Sequence, residues 1–149
     1  MTGTYLVPFD GSPLSRTALR RARDLANDTD VDVLAFSVVP HGSTKWARER
    51  DLLGAAEPYD ADAVVEELRR RVETVAPNAT FESTFVGKRS VSGRIAGVIR
   101  RRATDADAEV VFLGSENAGN IVTSVADVAP SVASRGTYDV YIARRPEAE

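Results

Sequence analysis

The chain of 149 residues has no cysteine and a single histidine, His41. The absence of cysteine excludes disulfides, thiolate metal sites and cysteine nucleophiles. One histidine excludes a two-histidine metal site and leaves the commonest general base nearly absent. No apolar run approaches the roughly 20 residues of a membrane-spanning helix, and no basic segment followed by an apolar one opens the chain. We therefore expect a cytoplasmic protein with no metal site and no membrane partner.

The sequence also lacks a strong charge of one sign. Nineteen basic and 22 acidic residues give a net charge of −3, which is too small to indicate a nucleic-acid partner. The arginine runs at 69–71 and 100–102 have acidic neighbours and no interleaved aromatic residues, a pattern typical of solvated helix faces. We therefore expect no nucleic-acid binding.

Apolar segments of strand length alternate with helical patterns along the chain. Strands are predicted over 5–9, 31–39, 81–86, 109–113 and 138–143. Helices are predicted over 13–26, 60–76, 95–104 and 127–135, and 41–58 is a long connection with room for a short helix. The strands are too apolar for a half-exposed antiparallel sheet, so the pattern predicts one α/β domain over 1–145, with a mainly parallel sheet between helices. Residues 146–149 are expected to be a frayed tail.

Candidate ligand positions follow from this architecture, because open parallel sheets bind ligands beyond the carboxyl ends of their strands. The residues there are 10–12 after the first strand, 38–40 after the second, and Gly114 and Ser115 after the fourth. Residues 10–13 are equally compatible with a turn followed by a helix cap. Gly114 and Ser115 also suit a simple strand end.

Four segments together resemble the universal stress protein family: YLVPFDGSPLSRTALRRARDLA, VLAFSVVP, VGKRSVSGRIAGVI and AEVVFLGS. The likeness covers nearly the whole chain. It implies a doubly wound, five-stranded parallel sheet in the order 3-2-1-4-5, of the adenine nucleotide alpha hydrolase-like type, with two helices on each face. It also implies a homodimer joined through the last strand, Tyr138 to Ala143, whose apolar edge is open to pairing. Some members of the family bind ATP and others do not.

The resemblance further implies which residues line a nucleotide cleft. Pro8 and Asp10 would lie beside adenine and ribose, Val38 would offer backbone hydrogen bonds to adenine, and Leu113 would pack on the ring. The ATP-binding members continue with glycine, two residues, glycine, nine residues, glycine and a serine or threonine. Those glycines let backbone N–H groups approach the phosphates at a helix N-terminus. Gly114 matches the first glycine of this motif, and Ser115 follows it as a further candidate binding residue.

The rest of the phosphate motif is altered in this chain. Asn117 replaces the second glycine, although asparagine tolerates a left-handed backbone. Asp127 falls at the third glycine or at the hydroxyl position, depending on the direction of the count, and Glu116 adds a second negative charge. A carboxylate at a helix N-terminus occupies the place where a phosphate would be stabilised. We therefore expect weak or absent binding of ATP, while AMP or a nucleoside still fits.

The leading functional hypothesis is a dimeric binding or signalling module with an unknown signalling partner and no catalytic residue. One alternative is an ATP- or AMP-binding member with a rebuilt phosphate site, or one bridged by Mg²⁺ that enters only with the nucleotide. A nucleotide hydrolase or phosphotransferase lacks support, because no Walker-type lysine or positioned base is evident; a metal shared by Asp10 and Asp127 would keep it open. A flavodoxin-like electron carrier would need a loop rich in serine and threonine after the first strand, which 10–13 does not provide.

Overall fold

The computed structural model describes residues 3–89, 92–115 and 138–146, with nothing stated of the Ser92 side chain. The predicted helix at 127–135 and the candidate residues Asn117 and Asp127 lie outside these ranges.

The centre of the molecule is a five-stranded, entirely parallel sheet. Its strands are β1 (Thr4–Pro8), β2 (Asp32–Pro40), β3 (Thr80–Val86), β4 (Ala108–Gly114) and β5 (Asp139–Ala143). They are hydrogen-bonded in the order β3-β2-β1-β4-β5, and each neighbouring pair is parallel. The α/β class predicted from the alternating pattern and the strand order implied by the family resemblance are both confirmed.

Four helices accompany the strands in the described part of the chain: α1 (Pro13–Ala26), α2 (Thr44–Glu49), α3 (Ala61–Val75) and α4 (Ser92–Asp105). The Ser12 hydroxyl caps α1 by accepting a hydrogen bond from the Ser15 N–H at 3.3 Å, and Pro13 stands at a position that needs no N–H donor. Asp60 caps α3 in the same manner. The short helix α2 lies inside the predicted 41–58 connection.

The sheet is buried on both of its faces. Val7 and Phe9 pack with Leu19 of α1 and Leu68 of α3 in one core cluster. Leu6, one residue from Val7, packs on the opposite face against α4. Residues 33–40 of β2 are all buried, and this two-sided burial explains why the strand is apolar without alternation.

The chain reverses its direction across the sheet between β1 and β4, where the neighbouring strands β2 and β5 lie on opposite sides of this pair. Gly114 ends β4 directly against the first turn of α1. A Cβ atom added at Gly114 would lie 2.9 Å from Cβ of Leu14 and 3.0 Å from the Ser15 nitrogen, so this position excludes a side chain. The absence of a side chain therefore brings the end of β4 against the beginning of α1, beside the switch point where ligands bind in such sheets.

Candidate functional site

The loop after β1 turns the chain into α1 and presents Asp10 at the switch point. The Phe9 N–H donates to the Phe36 carbonyl at 2.8 Å, which extends the pairing of β1 with β2. Gly11 then adopts a φ of +81°, a left-handed conformation that glycine adopts without steric cost. The Asp10 carboxylate accepts a hydrogen bond from the Ser12 N–H at 2.9 Å. Residues 10–13 thus form a turn and a helix cap, as the sequence allowed, and this turn fixes the position of the Asp10 carboxylate.

Asp10 is held in its ionised form. Burial of the carboxylate acts to raise its pKa, but the Ser12 hydrogen bonds and the positive charge of Arg50 outweigh burial and lower the pKa below the usual value. The Arg50 Nε lies 3.2 Å from the Asp10 Oδ2. At neutral pH Asp10 therefore acts as a hydrogen-bond acceptor and not as a proton donor.

Arg50 reaches Asp10 from the residue that follows α2. Its Nη1 donates to the Trp46 carbonyl at 3.1 Å, and its Cζ lies 4.5 Å from the centroid of the Trp46 ring. This stacking of a guanidinium on an indole is a cation–π contact. Trp46 belongs to the 41–58 connection, for which the sequence predicted only room for a short helix. The structure places it in α2, half-buried against the core and under the arginine that holds Asp10.

Arg71 of α3 fixes the loops that carry Asp10 and Arg50. Its Nη1 donates to the carbonyls of Arg50 at 2.9 Å and of Gly11 at 3.3 Å. Its Nη2 donates to the Asp51 carbonyl at 2.7 Å, and its Nε donates to Glu67 at 3.0 Å. The expectation of a solvated arginine run is therefore wrong for Arg71, because its guanidinium links three separate segments.

These residues surround a cavity of about 440 Å³. Its wall consists of residues 10–13, residues 49–51, Arg16 and Arg71. Three arginines and three carboxylates thus line one concave site at the end of β1. Sequence reasoning identified only Asp10 and its loop, since no motif or spacing marks Arg16 or Arg50 as a neighbour of Asp10.

The other predicted site residues lie in different surroundings. Pro8 ends β1 and is buried. The side chains of Val38 and Leu113 are buried in the core cluster on the α4 face of the sheet, and neither lines the cavity described here. Ser115 is half-buried directly after β4. The cleft predicted between Asp10, Val38 and Leu113 stays a prediction.

His41, the only histidine, is exposed at the end of β2, as expected for a loop residue. Its ring meets Phe85 edge-on, with 5.0 Å between the ring centroids. Within residues 3–89, 92–115 and 138–146, no group of three or more histidine, aspartate or glutamate side chains is arranged to hold a metal ion. In the same part of the chain, none of the helices combines the length and apolarity needed to cross a membrane.

Comparison with known proteins places this chain in a family. The family model described as "Universal stress protein family" matches residues 1–144. No curated protein matches the chain in sequence. Among solved structures, hypothetical protein MJ0577 is similar, with 14% identity, a TM-score of 0.59 and coverage of 98% of both chains.

Two further solved structures are similar and carry nucleotides. A universal stress protein in complex with cAMP has 19% identity and a TM-score of 0.53, over 94% of both chains. The universal stress protein from Archaeoglobus fulgidus in complex with dAMP has 15% identity and a TM-score of 0.51, over 97% of this chain and 98% of that one. At these identities the structures support the common fold, and the family model covers nearly the whole sequence. The chain belongs to the universal stress protein family.

Proposed function

We propose that this protein is a small binding and signalling module with an adenine-nucleotide-type cleft at the carboxyl ends of β1 and β4. The observation that carries the proposal is the Asp10 carboxylate, which is held ionised on the wall of a cavity at the carboxyl end of β1. A fixed carboxylate in that place suits the hydroxyl groups of a ribose, because it accepts hydrogen bonds from them. Solved relatives in complex with cAMP and dAMP add support from the same fold.

The proposed ligand is a nucleoside or a nucleotide with few phosphates, with ATP bound weakly or not at all. This preference rests on the sequence and on the family resemblance. Asp127 falls at a glycine or hydroxyl position of the phosphate motif that the resemblance implies, and Glu116 adds a second negative charge nearby. A cytoplasmic location and a role without catalysis remain predictions of the sequence.

Calorimetric titration with adenosine, AMP and ATP, with and without Mg²⁺, tests this function. We expect AMP or adenosine to bind and ATP to bind more weakly than AMP when Mg²⁺ is absent. Asp10→Asn should weaken adenosine binding by about tenfold, because a hydrogen bond to a charged acceptor is lost. Asp24→Asn is the matched control, since Asp24 is an exposed carboxylate of α1 that does not line the cavity. Micromolar binding of ATP without metal, or no effect of Asp10→Asn, would contradict the proposal.

We also propose that two copies of the chain associate through β5. This strand is an edge of the sheet, since β4 is its only neighbour among the described strands. Val140 and Tyr141 are exposed there, by 37% and 36%. A short apolar edge strand with free backbone groups favours pairing with a second strand. The family resemblance indicates the same edge.

Light scattering of the protein at micromolar concentration should give the mass of a dimer. Val140→Pro removes one backbone N–H from β5, and we expect it to shift the protein to the monomer because proline disfavours pairing of the strand. Val140→Thr is the control, because it keeps the N–H and the β-branched shape and should leave the dimer intact. A monomeric wild type, or a dimer that is indifferent to Val140→Pro, would refute association through β5.

A further inference from the structure

We propose that the cavity between α1, α2 and α3 is a phosphate-binding site in which Arg16 and Arg50 hold the anion. The site lies against the loop after β1, so its arginines would supply the positive charge that the altered segment after β4 lacks. The inference rests on the proposed function in one respect, namely that the phosphate belongs to a nucleotide.

The available donors in the cavity belong to two of its three arginines. The Arg71 guanidinium donates its hydrogen bonds to three backbone carbonyls and to Glu67. Arg50 uses Nε for Asp10 and Nη1 for the Trp46 carbonyl, and its Nη2 has no acceptor among the described residues. Arg16 lines the cavity, and its side chain forms no hydrogen bond or ion pair with the part of the chain that the structure describes. Arg71 thus positions the site, while Arg16 and Arg50 retain donors for a ligand.

Among the described residues, no carboxylate forms an ion pair with Arg16. It follows the first turn of α1, where the helix dipole is positive and where no acidic side chain is present. A positive charge near the beginning of a helix is disfavoured, whereas an anion there is stabilised. Of the carboxylates that line the cavity, Asp10 and Glu49 already face Arg50. Asp51 is exposed to water, where solvent weakens its field.

The size and chemistry of the cavity indicate a phosphomonoester. A volume of about 440 Å³ falls within the roughly 300–1,000 Å³ typical of small-molecule sites. It exceeds the needs of a phosphate alone and leaves room for a sugar. Guanidinium groups bind phosphate oxygens through charge-assisted hydrogen bonds. Asp10, on the wall of the same cavity, would accept a hydrogen bond from a sugar hydroxyl.

Trp46 provides the readout, because it is the only tryptophan of the chain and Arg50 stacks on it. We expect inorganic phosphate, added with and without adenosine, to change the Trp46 fluorescence in a saturable manner. AMP should do the same at lower concentration. Arg16→Gln should weaken binding of phosphate and AMP by about tenfold, the effect of losing one charged hydrogen bond, and should leave adenosine binding unchanged. Arg101→Gln is the control, since Arg101 is an exposed arginine of α4 outside the cavity.

The outcomes separate this site from the proposed function. Phosphate and AMP binding that depends on Arg16 and not on Arg101, with adenosine unaffected, supports both. If AMP binds more tightly than adenosine but is indifferent to Arg16→Gln, the nucleotide cleft stands and the arginine site is wrong. A third outcome is that phosphate binding depends on Arg16, adenosine does not bind, and AMP binds no more tightly than phosphate. In that case the arginine site stands and the nucleotide function fails. No response to phosphate or AMP in either fluorescence or calorimetry overturns the site. Equal urea midpoints of the wild type, Arg16→Gln and Arg101→Gln verify that the Arg16→Gln variant folds normally.

Discussion

Arg71→Met is expected to lower the free energy of unfolding by about 3 kcal/mol, the upper range for hydrogen bonds made by a charged group. The guanidinium donates to the carbonyls of Gly11, Arg50 and Asp51. Among the described residues, no other side-chain hydrogen bond links these segments to α3. Methionine keeps most of the aliphatic length and removes only the donors. The carbonyls then lose their partners together, and the loops that hold Asp10 lose their common anchor.

Arg70→Met is the matched control for this variant. Arg70 is the preceding residue of α3, its side chain is 73% exposed, and its described ion pair is with Glu67. Exposed pairs of this kind contribute between about 0 and 1 kcal/mol. Urea denaturation followed by circular dichroism measures both midpoints. Equal midpoints for Arg71→Met and Arg70→Met would show that Arg71 is not an anchor.

The second large effect concerns the phosphate end of the nucleotide motif. We expect the triple variant Asn117→Gly, Ala126→Gly, Asp127→Ser to bind ATP up to about a thousandfold more tightly than the wild type. Two like charges at about 4 Å repel by about 4 kcal/mol at an effective dielectric of 20, and the variant removes the Asp127 carboxylate that would face a phosphate. It also supplies a glycine at the second position and another at the third position as counted back from the last strand, and glycines let backbone N–H groups approach the anion.

Calorimetry of ATP binding without Mg²⁺ measures this gain. Adenosine is the internal control, because it carries no phosphate and should bind both proteins equally. Added Mg²⁺ should reduce the difference in ATP affinity between the wild type and the triple variant. A cation between Asp127 and a phosphate turns their repulsion into a bridged attraction. Tight ATP binding by the wild type in the absence of metal would show that the phosphate motif functions in its altered form.

The sequence predicted the architecture because burial in this fold determines the local pattern of apolar residues along each strand and helix. Strand β2 is apolar without alternation since helices cover both faces of the sheet, and the predicted 31–39 coincides within a residue with Asp32–Pro40. Ser12 and Pro13 predict the start of α1, and Asp60 predicts the start of α3, because a helix cap involves residues that are close in sequence. The 3-2-1-4-5 order came from the family resemblance, as the alternation of elements alone is compatible with other orders.

The site was predicted only in part, for a physical reason visible in the arginine run of α3. Arg70 and Arg71 are neighbours of identical chemistry, yet one side chain is 73% exposed and the other 18%. Helix geometry turns successive side chains by about 100°, and only the position of the loops beyond the helix decides which of them finds carbonyl acceptors. The solvated-run interpretation was therefore right for the exposed arginine and wrong for its neighbour.

What the sequence by itself determined about this protein is its family, its α/β class, its caps and the presence of Asp10 at the end of β1, because each of these depends on contacts between near neighbours or on a contiguous motif. What only the tertiary structure decided is the surroundings of Asp10. Arg50 is 40 residues away along the chain, and Arg71 is 60 residues from Gly11. Such partners follow no periodicity, since their distance depends on how β1, α2 and α3 pack together. The cavity, its arginines and the ionised state of Asp10 are consequences of that packing.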